Sequence, residues 1–368
     1  SIYSNQSTQS MPPSSFDTCT TSTDTLLVAD LSLSDVLTIV KKLPSKSSVD
    51  LDGLSYNIIK KGGYPLWYRL YQLFSHSLKL CCIPSAWKLA AVTPIHKSGS
   101  KLEITNFRPI SVTSCCSRIL ERIVNSKIVT YLNENRKLLN SQHGFCPGKS
   151  TDTILLEFYD YVTYNLDKNK LVDCVYFDYR KAFDTVPHDV LLSRIFDIGI
   201  RGNLLEWLSS FLTDRSQKVR ISSSFSHRVC VSSGVIQGSV LGPTLFNIFI
   251  NKIDSSLQYY KILKYADDIR IYLCSNKNAS DVSDLHSKLQ KDIDNLVQWS
   301  SNSGMSFNTN KCFSVSFGSS NFPRTYAICN TPIPLKNTFT DLGVKVSSPL
   351  SFKVKQRSKV KYKHIFQI

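Results

Sequence analysis

Two adjacent carboxylates, Asp267 and Asp268, interrupt the strand-like run KYADDIRIY at residues 264–272. Ionised carboxylates side by side among residues that favour burial are costly, because each must be desolvated and the two repel. A hard divalent cation such as Mg²⁺ would offset that cost. It takes few protein carboxylates and completes its shell with water and substrate phosphates. A bare Asp-Asp is more often a solvated turn, but a third carboxylate shifts the balance. Asp178 follows the β-rich run LVDCVYF, where a charge is equally out of place. An aspartate from each of two neighbouring strands can hold a pair of metal ions, and such a pair serves in-line displacement at phosphorus.

A third stretch, SSGVIQGSVLGPTLFNIFIN at residues 232–251, could bring backbone close to a ligand. Gly234, Gly238 and Gly242 punctuate a turn before an apolar helix, and glycine permits close approach. Gln237 can hydrogen-bond there without carrying charge.

These groups need rigid mounts. The run KILKYADDIRIYL reads as strand, turn, strand, and places both aspartates at a tight turn. Asp178 ends a strand, and the chain then enters a helix through Pro187. Further strands are expected in KVRISSSFSHRVCVSSG, and a strand pair in SFNTNKCFSVSFG. Helices are expected in LSDVLTIVKKL with Ser34 as N-cap, in YPLWYRLYQLFSHSLKL, SRILERIVNSKIVTYLNEN and TDTILLEFYDYVTYNL, and later in DVLLSRIFDIG, NLLEWLSSFL and LHSKLQKDIDNLVQWSSNSG. Strands separated by helices, without the Gly-rich turns of a dinucleotide fold, predict an α+β sheet with helices on one face.

In order, these blocks resemble the palm motifs of reverse transcriptases: an Asp with an aromatic five positions later, a Gln-Gly loop, then Tyr-x-Asp-Asp. From about residue 30 onward the chain is similar to the polymerases of non-LTR (LINE-type, jockey-like) retrotransposons. AWKLAAVTPIHKSGSKLEITNFRPISVTSCCSRILERIVNSKIVTYL resembles their fingers block, and SQHGFCPGKSTDTILLEF and FDYRKAFDTVPHDVLL their following segments. MSFNTNKCFSVSFG and DLGVKVSSPLSF resemble the later palm blocks. SSVDLDGLSYNIIKKGG follows the family only loosely, keeping Asp52 and Gly53 without the preceding Gly-Pro.

The resemblance implies an RNA-directed DNA polymerase, a right hand of fingers and palm whose antiparallel palm sheet is backed by helices. It implies a disordered linker over 1–30, an N-terminal extension and fingers over 31–170, and a palm with interleaved fingers helices over 171–335. Residues 336–368 would be the palm end and a truncated thumb start. It also implies that any endonuclease lies outside this sequence. Asp178 and Asp267 would hold two Mg²⁺ (or Mn²⁺) ions, with Asp268 as the accessory carboxylate. Lys97 and Arg108 would hold the incoming triphosphate, which suits a point charge and a forked guanidinium. Phe183 would bar a ribose 2′-hydroxyl and so select deoxynucleotides. Gln237 and Gly238 would support the nascent base pair, and Lys311 would protonate the departing diphosphate. Tyr265 and Ala266 complete the turn, with Ala266 small enough to lie under a primer end.

Bulk properties agree with a polynucleotide partner. The chain has 368 residues and a formal net charge of +16, which suits a polyanion. At ~100–200 residues per domain, two or three lobes are expected. No apolar run approaches the ~20 residues of a membrane span, so no membrane partner is expected. The basic tail SFKVKQRSKVKYKH could contact nucleic acid. Eleven scattered cysteines without CxxC spacing read as reduced thiols in an intracellular protein. The resemblance implies a place in the nucleus or cytoplasm as part of a retroelement ribonucleoprotein. The expected partners are an RNA template, a DNA primer and deoxynucleoside triphosphates; oligomeric state is not legible. An intron-maturase-like or telomerase-like polymerase, and a catalytically inactive nucleic-acid-binding remnant, are the alternative readings.

Overall fold

A computed structural model describes residues 25–26, 31–97, 99–318, 322–348 and 350–353. The expectation for residues 1–30 lies almost entirely outside these, apart from a short parallel bridge between Leu26 and Ile200. Of the basic tail only residues 351–353 are described.

The chain opens with α1 (Leu33–Lys42), α2 (Tyr56–Lys61) and α3 (Gly63–Lys79). Ser32, not Ser34, caps α1. Its Oγ accepts the Asp35 N–H at 3.2 Å while the Asp35 carboxylate accepts the Ser32 N–H at 2.9 Å. This reciprocal capping box starts the helix at Leu33 and puts Ser34 inside the first turn. Strands β1 (Leu89–His96) and β2 (Phe107–Val112) form a hairpin, followed by α4 (Cys115–Glu134) and α5 (Thr151–Asp167). As its periodicity predicts, α4 buries Ile119, Ile123, Ile128 and Leu132.

Next come β3 (Leu171–Phe177), the single turn α6 (Ala182–Thr185), α7 (His188–Asp197) and α8 (Gly202–Leu212). Strands β4 (Arg215–Ile221), β5 (Ser224–Phe225) and β6 (Val229–Val231) then return to the earlier hairpin, β4 running parallel to β1. Residues 215–231 therefore share a sheet with residues 89–112. After α9 (Gly242–Ile250) come β7 (Lys261–Tyr265), β8 (Asp268–Ser275), α10 (Ala279–Asn302) and β9 (Phe313–Phe317). These strands and β3 build a second, antiparallel sheet in the order β7-β8-β3-β9. The strand pair expected in SFNTNKCFSVSFG is one strand, β9. Its first half contributes only a bridge from Phe307 to Tyr179, and β9 finds its partner in β3. The last elements are the small ladder β10 (Ala327–Ile328) with β11 (Thr331–Pro332), and the sheet β12 (Thr338–Asp341), β13 (Val344–Ser347) and β14 (Ser351–Lys353).

Helices cover both faces of the four-stranded sheet, not one. Along β3, Leu171, Val175 and Phe177 join a core with α7, α9 and α10, whereas Val172 and Cys174 join a second core with α5, Phe339 of β12 and Val346 of β13. The physical reason is the period of two: every residue from Leu171 to Val175 is buried, so each pleat face needs its own cover. The larger core is continuous from α1 to α10, so the two sheets are not separated by a break in packing. The ten described cysteines are all free.

Candidate active site

The turn between β7 and β8 presents the aspartate pair. Tyr265 pairs with Asp268, leaving Ala266 and Asp267 as the loop. Ala266 takes φ +56°, in the left-handed region that is uncommon for a residue other than glycine and that a tight hairpin turn demands. Asp178 follows β3. The register pairs Phe177 with Ile269, so one further step along these antiparallel strands brings Asp178 beside Asp268. The Asp178 backbone is held on both sides: its N–H donates to Cys312 Sγ at 3.4 Å, and its carbonyl accepts the Asn308 N–H at 2.7 Å.

The three carboxylates feel one another. Burial raises the pKa of Asp267, and the Asp178 charge adds to the rise; its own backbone hydrogen bond, Lys97 and Lys311 pull it back. Packing raises Asp268 to about 6, reinforced by the charges of Asp267 and Asp178. Asp268 also keeps an exposed edge, which tempers the burial contribution. Lys311 Nζ lies 3.4 Å from Asp178 Oδ1 and is itself exposed. The structure thus gathers Asp178, Asp267, Asp268, Lys97 and Lys311. Arg108 lies on β2 opposite Ile95 and is exposed.

Phe183 lies on α6, half-buried. Its ring stacks on Phe246 of α9 at 4.5 Å and meets Phe145 edge-on at 6.5 Å. The Gln237–Gly238 loop leans on β2. The Gln237 carbonyl accepts the Ser111 N–H at 2.8 Å, and a Cβ on Gly238 would stand 2.6 Å from the Ser111 oxygen. With φ +114° as well, only glycine fits there.

Sequence reasoning missed two residues that hold this arrangement. Gln142 is buried behind the turn. Its Oε1 accepts the N–H groups of Ala266 at 3.0 Å and Gly144 at 2.8 Å, and its Nε2 donates to the Ala266 carbonyl at 3.4 Å. Segment 141–144 runs beside β7 through Lys264 N–H to Ser141 O and His143 N–H to Lys264 O, both at 2.8 Å. A Cβ on Gly144 would overlap the Ala266 backbone nitrogen, so the strap passes only with glycine. Glu121 of α4, also buried, accepts the Val240 N–H at 2.7 Å and the Leu241 N–H at 3.3 Å just before α9. It thereby holds the turn that leads into the helix carrying Phe246. A polar residue inside an apolar stretch was the available signal for Glu121. Gln142 lies in the SQHGF block, but nothing in one sequence tells which turn it serves.

The donor set is three carboxylates at the end of a sheet, all hard oxygen ligands suited to Mg²⁺ or Mn²⁺. Among the described residues no three His, Cys, Asp or Glu side chains are arranged to hold a metal by themselves. A site of this kind would draw its remaining ligands from water and substrate phosphates.

A family model described as reverse transcriptase (RNA-dependent DNA polymerase) matches residues 95–362. A probable RNA-directed DNA polymerase from transposon BS of Drosophila melanogaster is 27% identical over 346 residues, covering 89% of this chain and 37% of that protein. The RNA-directed DNA polymerase from mobile element jockey of the same fly is 27% identical, covering 79% of this chain and 32% of its own length. A retrovirus-related Pol polyprotein from type-1 retrotransposable element R2 of Popillia japonica is 26% identical over 317 residues, covering 79% of this chain and 42% of that protein. The chain spans about a third of the length of the first two relatives. Among solved structures, a telomerase from Candida albicans in complex with a telomeric RNA fragment superposes with a TM-score of 0.51 at 16% identity, over 80% of this chain and 50% of that one. That likeness concerns the fold alone.

Proposed function

The chain belongs to the reverse transcriptase (RNA-dependent DNA polymerase) family, and from that premise we propose that it extends a DNA primer with deoxynucleotides on an RNA template. The mobile-element polymerases among its relatives agree with the non-LTR resemblance of its motifs. The observation that carries the proposal is the meeting of Asp178 with Asp267 and Asp268 at the ends of β3 and β8, flanked by Lys97 and Lys311.

When bound there, a pair of divalent ions would supply Lewis-acid stabilisation of the attacking and leaving oxygens. Asp178 and Asp267 would hold them, and Asp268 would tune their field as a neighbouring charge. Lys97, with Arg108 on the adjoining strand, would grip triphosphate oxygens. Lys311 would give its proton to the departing diphosphate, and its contact with Asp178 keeps it at hand. Phe183, backed by Phe246, would leave no room for a 2′-hydroxyl. Gln237 and Gly238 would bear on the nascent base pair. On this reading β1, β2 and β4–β6 form the fingers sheet and β7-β8-β3-β9 the palm. The protein would work in an intracellular retroelement ribonucleoprotein, in nucleus or cytoplasm.

The test is primer extension on an RNA template with Mg²⁺. Wild type should add deoxynucleotides, whereas Asp178→Asn and Asp267→Asn should bind template–primer yet extend nothing. Extension by either variant at the wild-type rate refutes the site assignment.

A further inference from the structure

The strap at residues 141–144 lies along the open edge of β7, the outermost strand of its sheet. Its anchors differ in kind. Ser141 Oγ donates to Asp254, which also pairs with the buried Lys264 of β7. Lys149 Nζ donates to the Gln142 carbonyl at 3.0 Å. His143 gives its backbone N–H to β7, at the Lys264 carbonyl, while its ring, in a residue only 3% exposed, reaches the first turns of α5.

There Nδ1 lies 2.8 Å from Thr153 Oγ1. Nε2 is buried and makes no hydrogen bond, though Glu157 Oε2 stands 3.2 Å away. Thr153 is fixed in turn by the reciprocal cap of α5, its Oγ1 accepting the Ser150 N–H at 2.9 Å. Helix α5 packs on β3 and β7, so the ring ties the strap to a helix that already backs the carboxylate sheet. Burial lowers the His143 pKa and the Lys149 charge adds to the fall, against the pull of Glu157. A neutral ring has one N–H to give. The Glu157 carboxylate draws that proton to Nε2, which leaves Nδ1 to accept from the Thr153 hydroxyl.

Two backbone hydrogen bonds, from Lys264 N–H to Ser141 O and from His143 N–H to Lys264 O, hold the strap along β7. They set its register but leave it free to roll about that line. Roll matters, because Gln142 Oε1 must meet the N–H groups of both Ala266 and Gly144. A tether from the ring to α5 stops the roll. We propose that His143 is a positioning residue for nucleotide transfer: by pinning the strap to α5 it keeps Gln142 against Ala266 and so holds the aspartate turn in shape. The part played in transfer rests on the polymerase reading above; the hold on the turn does not.

Hydrogen exchange of the full chain without metal or nucleotide, read by mass spectrometry, tests the hold apart from any catalysis. His143→Phe keeps a ring of similar size but no polar atom. In that variant the peptide containing Ala266 should exchange about tenfold faster, with β12 and β13 unchanged. His143→Asn restores a group that can accept from Thr153 and should return the exchange toward wild type. In primer extension on an RNA template with Mg²⁺, His143→Phe should lower kcat about threefold to tenfold at little-changed KM for nucleotide. Gln142→Ala/His143→Phe should lose no more kcat than Gln142→Ala alone, because the two residues act in series. Wild-type exchange at the turn in His143→Phe overturns the proposal, as does faster exchange spread equally over the whole chain. Additive kcat losses in the double variant also overturn it. Should His143→Phe not fold, Thr153→Val removes the same contact from the α5 side, and wild-type exchange at the turn in that variant overturns the hold. If the turn exchanges faster while wild type extends no primer, the hold stands and the polymerase reading falls. If wild type extends and the exchange is unchanged, only the hold falls.

Discussion

On the proposed polymerase reading Phe183 would fill the place of a ribose 2′-hydroxyl, offering bulk and no hydrogen-bond acceptor. Its ring is fixed from behind by the stack on Phe246, so it cannot swing away without opening the core. Phe183→Val should therefore raise ribonucleotide over deoxynucleotide efficiency about tenfold to a hundredfold, matching an overpacking penalty of ~1–3 kcal/mol. Paired kcat/KM values for ribo- and deoxynucleotides measure this, and an unchanged ratio would reduce Phe183 to a packing residue. Asp268 makes a different prediction. Folding raises its pKa from 3.8 to about 6. A raised acid holds its proton better folded than unfolded, so its contribution to stability is complete below the unfolded value and lost as pH rises through the folded one. At neutral pH the ionised carboxylate weighs against the fold. With divalent ions chelated, Asp268→Asn should raise the Tm by about 1–2 °C near neutrality and leave it unchanged below about pH 4. A shift of equal size at both pH values would show that charge is not its cause.

At the scale of elements, the β7–β8 hairpin depends on a segment over a hundred residues away. Gln142 satisfies the backbone of the turn at Ala266 and the strap at Gly144. Gln142→Ala would leave two buried N–H groups without an acceptor, at ~1–3 kcal/mol each. The turn should loosen, so kcat should fall at least about tenfold with KM for nucleotide little changed. Gln142→Glu retains an acceptor and should keep more of the activity than Gln142→Ala. If kcat holds while only thermal stability drops, the strap supports the fold and not the geometry of the site.

For the whole molecule, the small β12–β13–β14 sheet is tied to the main one by a buried ion pair. The Arg270 guanidinium contacts both Asp341 oxygens, at 2.5 and 2.8 Å, and Tyr159 and Tyr176 donate to the same carboxylate at 3.0 and 3.1 Å. Both charged groups are nearly free of solvent contact. Asp341→Ala would strand the Arg270 charge in the core, at ~3–5 kcal/mol. Removing both charges with Arg270→Met/Asp341→Leu should recover much of that loss. Urea denaturation of the single and double variants checks it, and equal destabilisation by both would mean that shape, not charge, decides the joint.

Much of this protein is legible along the chain, because the signals are local. Asp267 and Asp268 between two apolar runs announce a hairpin, and the periodicity of α4 announces its buried face, since strand and helix patterns repeat within a few residues. The family resemblance is carried the same way, by short blocks such as FDYRKAF and KYADDI. What the sequence withheld depends on groups far apart in the chain. The unbroken apolar character of β3 implies two covers but does not say that α5 and the β12–β13–β14 sheet supply the second. Strand β9 could not be known to pair with β3, because hydrogen bonding between strands has no sequence code beyond burial and register. Gln142 at the turn and Glu121 before α9 are positioning residues only once tertiary folding brings unpaired backbone N–H groups against them. A buried polar group finds its partner in space, and only the folded chain decides which partner that is.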